Sequence, residues 1–305
     1  MGWDDIVRAH WTRHPGALAL EFVRTYVHIF RHIGAARVCR LYRPAFHAGA
    51  LPLWIVFGPL LAAPGLGAAF GAWGWMAGAL VAAAVWGLAT RGGLFWLLRI
   101  YTFFMRMAQG PIPGLAQRTR EWVDAIVAMQ QAEPVDEVLL VGHSVGTLVM
   151  TDAVAALLRD ARWQALQAGR PTLLLTLGQS YPMVALAPSA QAFRETLQGL
   201  CTHPRLRWWD VTARIDPLCF HGLAPIAGTL LAGEKDARWP VRHAARFMHM
   251  YEPARWRQIR ADKLQAHFLY LQTPQKPGNF SPMDVLYGPR GLAQQMQAQG
   301  ERLHA

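Results

Sequence analysis

Charge is what this 305-residue chain has least of. Asp, Glu, Lys and Arg make up only 16% of it, against about 25% in an ordinary soluble domain, while 53% of the residues are hydrophobic. Part of that apolar surplus must be buried in something other than a water-soluble core, and a membrane is the natural candidate. Cysteine is scarce too. Cys39, Cys201 and Cys219 are odd in number and show no C-x-x-C spacing, which argues against a disulfide framework and suits a reducing cytoplasm. An apolar leader is also missing from the start: residues Met1 to His14 are charged and polar where a secretory signal would have its hydrophobic core. Serine occurs at only four positions.

The longest absence is internal. From Pro44 to Thr90 there are 47 residues without one Asp, Glu, Lys or Arg. Pro64-Gly65-Leu66-Gly67 divides the run into pieces of 20 and 23 residues, each able to cross a hydrocarbon layer of about 30 Å at about 1.5 Å per residue. The expectation is a transmembrane helical hairpin over residues 44–90. Gly67, Gly71, Gly74, Gly78 and Ala82 recur at close to helical-turn spacing, a pattern that lets two helix backbones approach in lipid.

Arginine supplies most of the net charge of +11. Seven arginines lie in residues 1–43 (Arg8, Arg13, Arg24, Arg31, Arg37, Arg40 and Arg43), and Arg91, Arg99 and Arg106 follow the apolar run. Positive flanks on both sides place both ends in the cytoplasm. Residues 1–43 therefore read as a basic amphipathic juxtamembrane segment, and 91–113 as an interfacial helix and linker. Their apolar stripes suit either the lipid interface or the globular domain. No basic stripe with interleaved aromatics occurs in the globular part, which speaks against a nucleic-acid partner. His10/His14 and His28/His32 have i, i+4 ligand spacing, but no carboxylate or cysteine accompanies them, so neither a metal nor a cofactor is expected.

After Gly110-Pro111-Ile112-Pro113-Gly114 the texture changes to alternating strands and helices. Strand-like runs occupy Val138 to Val141, Thr172 to Leu177, Leu206 to Val211 and Phe247 to Tyr251, with helical stretches such as Thr147 to Leu158 and Ala190 to Leu200 between them. Such alternation predicts an α/β domain with a mostly parallel sheet and flanking helices over residues 114–305.

Within it, Gly142-His143-Ser144-Val145-Gly146 joins an apolar strand to a helical pattern, as a nucleophile elbow does. The glycines leave room where side chains would collide with strand and helix, and the backbone N–H of Val145 is placed to donate to an oxyanion. A serine hydroxyl needs a base, and the base a carboxylate, in the order Ser, acid, His. In "RWWDVTARIDPLCF" the acid is Asp210, still on the strand, or Asp216, just beyond it and therefore preferred. His243, His249 and His267 are the options for the base, with His267 preferred because it follows the last strand. His143 packs beside the elbow in this reading.

These residues bring a resemblance with them. The segments "WDDIVRAHW", "LLVGHSVGT", "LTLGQSYPMV", "WWDVTARIDPLCF" and "RFMHMYEPARWRQIRADKLQAHFLYLQ" are similar to those of the α/β-hydrolase superfamily and, more narrowly, of a group of bacterial membrane-associated α/β-hydrolases. The resemblance covers nearly the whole chain. It implies the α/β-hydrolase fold, a triad of Ser144, Asp216 and His267, and a multi-pass protein of the bacterial inner membrane with its catalytic domain facing the cytoplasm. The expected activity is hydrolysis of an ester or thioester of lipid or acyl type. An acyltransferase with the same residues and a non-catalytic membrane scaffold are the alternatives. Members of the group carry first strands and a glycine-bearing loop ahead of "WDD". That opening, with the second oxyanion donor, is expected to lie outside the present Met1 start.

Overall fold

The computed structural model describes residues 2–91, 93–167, 169–229 and 237–297. The chain divides into two compact units, Val7–Arg106 and Met1–Ile6 with Met107–Ala305. Helix α1 (Asp4–Ala9) straddles the first boundary.

In the unit Val7–Arg106, α2 (Pro15–His28) begins at a proline, whose missing N–H costs nothing in a first turn. It continues into one π-turn, Ile29–Ile33, which Gly34 ends at φ 84°. Helix α3 (Ala35–Leu41) follows, then α4 (Arg43–Arg91) and α5 (Leu94–Gln109). Leu18, Phe22 and Tyr26 form a buried stripe on α2. Phe22 and Tyr26 pack with Leu98 of α5 and with Leu53, Val56 and Ala89 of α4, and the Tyr26 hydroxyl donates to the carbonyl of Gly49 at 2.5 Å. Glu21 accepts from Thr12 and pairs with Arg106.

Helix α4 has 49 residues, and its most apolar stretch has a mean hydropathy of 1.7 and is only 11% buried. Among the described residues it is the helix long and apolar enough to cross a membrane. Its backbone leaves helical geometry at Gly71 (φ 61°, ψ −139°), not at Pro64–Gly67, where the sequence suggested the break. Pro64 forfeits one helical hydrogen bond and can kink the helix, yet its fixed φ stays near the helical value, whereas the positive φ at Gly71 favours a residue without Cβ. The two sides of Gly71 touch. A Cβ on Gly78 would lie 3.0 Å from the Ala63 Cβ, and one on Gly74 only 1.9 Å from the Leu66 carbonyl oxygen. In an unbroken helix residues 63 and 78 would stand about 22 Å apart.

The other unit is α/β. Helix α6 (Leu115–Ala132) leads into β1 (Leu139–His143), α7 (Val145–Arg159), α8 (Ala161–Gln167), β2 (Thr172–Leu177), α9 (Pro182–Ala185), α10 (Gln191–Thr202), β3 (Leu206–Thr212) and β4 (Val241–Ala244). All strand pairs are parallel and the order is β1-β2-β3-β4, with Val141 opposite Leu175, Leu175 opposite Trp209 and Trp209 opposite Val241. Every residue of β2 is buried, as its unbroken apolar run implies for a parallel strand covered on both faces. Leu175, Trp209, Val211, Phe247, Met250 and Tyr270 fill the core on one face. Helices α11 (Pro253–Ala261), α12 (Lys263–His267) and α13 (Pro282–Tyr287) follow, and residues 292–297 are again helical.

One strand differs from expectation. Phe247 to Tyr251 is not a strand; Phe247–His249 is a turn of 3₁₀ helix, and the fourth strand lies upstream at Val241–Ala244. That strand bounds the sheet and is half exposed, with the charged Arg242 in its middle, so it has no apolar run to announce it. Phe247 and Met250 are apolar because they plug the core beside it.

Candidate active site

Ser144 stands between the end of β1 and the first residue of α7 at φ 55°, ψ −124°. Among the described residues it is the non-glycine with positive φ. Such a conformation costs on the order of 1–3 kcal/mol and persists only where its surroundings enforce it. Here the Ser144 N–H donates to the Leu177 carbonyl at 2.9 Å, tying the bend to the end of β2. The Ser144 carbonyl accepts from the Thr147 N–H at 3.0 Å and from its hydroxyl at 2.6 Å. Gly142 is obligatory: a Cβ there would lie 2.7 Å from the Gly146 carbonyl oxygen and 2.9 Å from the Thr147 Cα. Gly146 has open space where its Cβ would be, so the crowding expected at both glycines holds only at the first. Val145, as the first residue of α7, carries one of the N–H groups that a helix start leaves without an intrahelical acceptor.

Asp216 and His267 come together. Asp216 lies in the turn after β3, fully buried, and its Oδ1 accepts the Leu218 N–H at 2.9 Å. Its Oδ2 takes His267 Nδ1 at 2.8 Å. His267 ends α12, which Asp262 caps by accepting the Gln265 N–H, and is 1% exposed. With Nδ1 held by the carboxylate, Nε2 is the ring nitrogen left for other work.

His143 connects this pair to the elbow. Its ring lies 4.8 Å from that of His267, centre to centre, and its Nε2 stands 2.9 Å from the His267 carbonyl oxygen. A carbonyl can only accept, so Nε2 of His143 carries the proton. Burial, and then the neighbouring His267, depress the His143 pKa to about 4, which keeps the ring neutral near pH 7. The residue before the strained serine thus grips the backbone of the histidine that holds Asp216.

Two contributors left no signal in the sequence patterning. Tyr270 donates its hydroxyl to Asp216 Oδ2 at 3.1 Å and accepts the Ala213 N–H at 2.8 Å. Burial drives its pKa well above the ordinary phenol value, so it remains a donor. Gly178, at φ 58°, clears the space: a Cβ there would lie 2.9 Å from the Tyr270 ring and 3.2 Å from Asp216 Oδ2. Both residues fall inside quoted runs, but only the folded chain brings them to Asp216. Cys219 lies beneath the same carboxylate, its thiol pushed up by burial and by the Asp216 charge.

The alternatives fall elsewhere. Asp210 is buried on β3, where its Oδ1 accepts the Thr176 hydroxyl at 2.7 Å. His243 sits on β4, edge-on to Trp209 at 5.4 Å, and His249 is exposed. Beside the elbow lies a cavity of about 800 Å³ that reaches Gly142, His143 and Gly146 and is walled by Trp122, Ile126 and Val149. Among the described residues no group of three or more His, Cys, Asp or Glu side chains is placed to hold a metal ion. No family model, no curated protein and no solved structure matches the chain, and its chemistry is therefore read from the geometry of the site.

Proposed function

We propose that this protein is a membrane-anchored serine hydrolase of α/β-hydrolase type, acting on an ester or thioester of lipid or acyl character. The supporting observation is the Asp216–His267 hydrogen bond, fastened through His143 to a serine held at positive φ. In this reading the Ser144 hydroxyl attacks the substrate carbonyl while His267 Nε2 takes its proton. Asp216 stabilises the imidazolium through Nδ1–H and keeps the ring in that tautomer. The Val145 N–H donates to the oxyanion, helped by its place at a helix start. His267 returns the proton to the departing alcohol or thiol, and water then releases the acyl group by the same path in reverse. The apolar cavity beside the elbow suits an acyl chain.

The anchor is α4, read as a hairpin turned at Gly71 that crosses the bilayer twice. Its outward Trp54, Leu61, Phe70, Trp73 and Leu80 are each about two-thirds to three-quarters exposed, which suits hydrocarbon. Arginines on both flanks support a topology in which its ends, and the catalytic unit that follows, face the cytoplasmic side of a bacterial inner membrane.

A fluorophosphonate probe tests the chemistry. The full chain in detergent or membranes is expected to take up one label that Ser144→Ala abolishes. Absence of labelling under conditions where the protein is folded, or labelling that survives Ser144→Ala, overturns the reading.

A further inference from the structure

The buried stripe of α2 accounts for Leu18, Phe22 and Tyr26, but α2 with its π-turn carries a second apolar stripe that none of the described residues covers. Leu20, Val23, Val27 and Phe30 are 50%, 45%, 42% and 54% exposed, and they follow one another at intervals of three and four residues, which is one face of a helix. Exposed apolar residues scattered singly need no explanation; four in a row along one helix do. Arg24 and Arg31 run along the edge of this stripe, both exposed, and among the described residues neither has a carboxylate partner. The carboxylate of α2, Glu21, is already held by Arg106 and Thr12. The face is thus apolar with a purely cationic border.

Position narrows what can cover it. The buried side of α2 packs where Gly49, Leu53 and Val56 of α4 approach Ala89, and the Phe22 ring stacks on Phe57 at 5.9 Å. From that level to the turn at Gly71 the helix rises about 26 Å, close to the thickness of one hydrocarbon layer. A hairpin that crosses the bilayer therefore carries α2 at the level of the headgroups. We infer that α2 and its π-turn form an interfacial docking surface for anionic phospholipid: Leu20, Val23, Val27 and Phe30 enter the acyl boundary, and Arg24 and Arg31 engage lipid phosphates. This rests on the membrane reading of α4 and adds to it the orientation of a second element and a preference for negatively charged lipid. Apolar area fixes the depth of such a helix, and each basic side chain near an anionic surface strengthens its attachment severalfold.

Site-directed nitroxides on the full chain test it, in vesicles of phosphatidylcholine with and without phosphatidylglycerol. One label replaces Val27 (Val27→Cys) and a reference label replaces Leu80 on α4 (Leu80→Cys), both in a Cys39→Ser background; Cys201 and Cys219 are buried. The expected result is that both labels are relaxed by oxygen and protected from a water-soluble nickel chelate. Spin-labelled phosphatidylglycerol should be enriched around the protein over phosphatidylcholine, and Arg24→Gln with Arg31→Gln should cut that preference by on the order of tenfold. A Val27 label open to nickel while the Leu80 label is in lipid overturns this inference alone. A Val27 label hidden from both relaxants assigns the stripe to protein contact and overturns it equally. A Leu80 label open to nickel removes the membrane reading on which it rests. Undiminished lipid preference in the double arginine variant overturns the assignment of Arg24 and Arg31.

Discussion

Tyr270 ties together groups that are distant in the chain: the Asp216 carboxylate, the Ala213 N–H and, through Asp216, the His267 ring. Tyr270→Phe keeps the ring and its packing but removes both hydrogen bonds. It leaves a buried N–H without a partner, which costs about 1–3 kcal/mol. The expected outcome is a lower Tm together with probe labelling slowed roughly tenfold, since a bond to an ionised group contributes about 1.5–3 kcal/mol. Labelling at the wild-type rate in the folded variant would make Tyr270 structural only. Asp210 offers a separate test of pH behaviour. Burial pushes its pKa up to about 7, with the Thr176 hydroxyl pulling the other way. The folded chain therefore keeps a proton that the unfolded chain gives up above the ordinary carboxylate value of 3.8, so this group costs stability as pH rises from about 4 to about 7. His143 and His243, both depressed to about 4, act oppositely: they lose stability as pH falls from their ordinary 6.5 toward 4. The Asp210→Asn variant isolates the carboxyl. Its Tm should exceed that of wild type at about pH 8 and match it at about pH 4, and a constant difference across that range would contradict the burial cause.

Among the elements, the two halves of α4 depend on glycines that sequence spacing identified as a group without separating their tasks. Gly71 turns the backbone, while Gly74 and Gly78 admit the opposite side of the helix. Gly74→Ala would drive a methyl into the Leu66 carbonyl, whereas Gly87→Ala meets nothing within 4 Å. The first is expected to lose at least about 1–3 kcal/mol and much of the yield of monodisperse protein in detergent, and the second to behave as wild type, by thermal unfolding and gel filtration. Strands β1, β2 and β3 were legible because buried parallel strands read as apolar runs. Strand β4 was not, because a half-exposed bounding strand needs no such run and the apolar Phe247 to Tyr251 nearby imitates one. The elbow was legible for a related reason: Gly142 is dictated by contacts within five residues, Gly146 and Thr147, and so leaves a local trace. Tyr270 and Gly178 act across 54 and 38 residues on Asp216, and nothing local marks them.

On the scale of the whole chain, the proposed membrane-tethered hydrolase rests on two features, an apolar helix with arginine flanks and an α/β unit with a serine at a strained bend. Chain order favoured Asp216 and His267 over Asp210, His243 and His249, because the carboxylate of a triad lies past the end of its strand and the imidazole past the last strand; in the fold these two side chains are hydrogen-bonded to each other. Whether the arrangement is an engine can be read from the mass of the protein. After rapid acid quenching of the full chain with p-nitrophenyl butyrate, one butyryl group should be found on the peptide that contains Ser144, and it should vanish in Ser144→Ala. Ester turnover without that adduct, an adduct indifferent to Ser144→Ala, or no reaction in protein that is demonstrably folded would set the serine aside as the nucleophile.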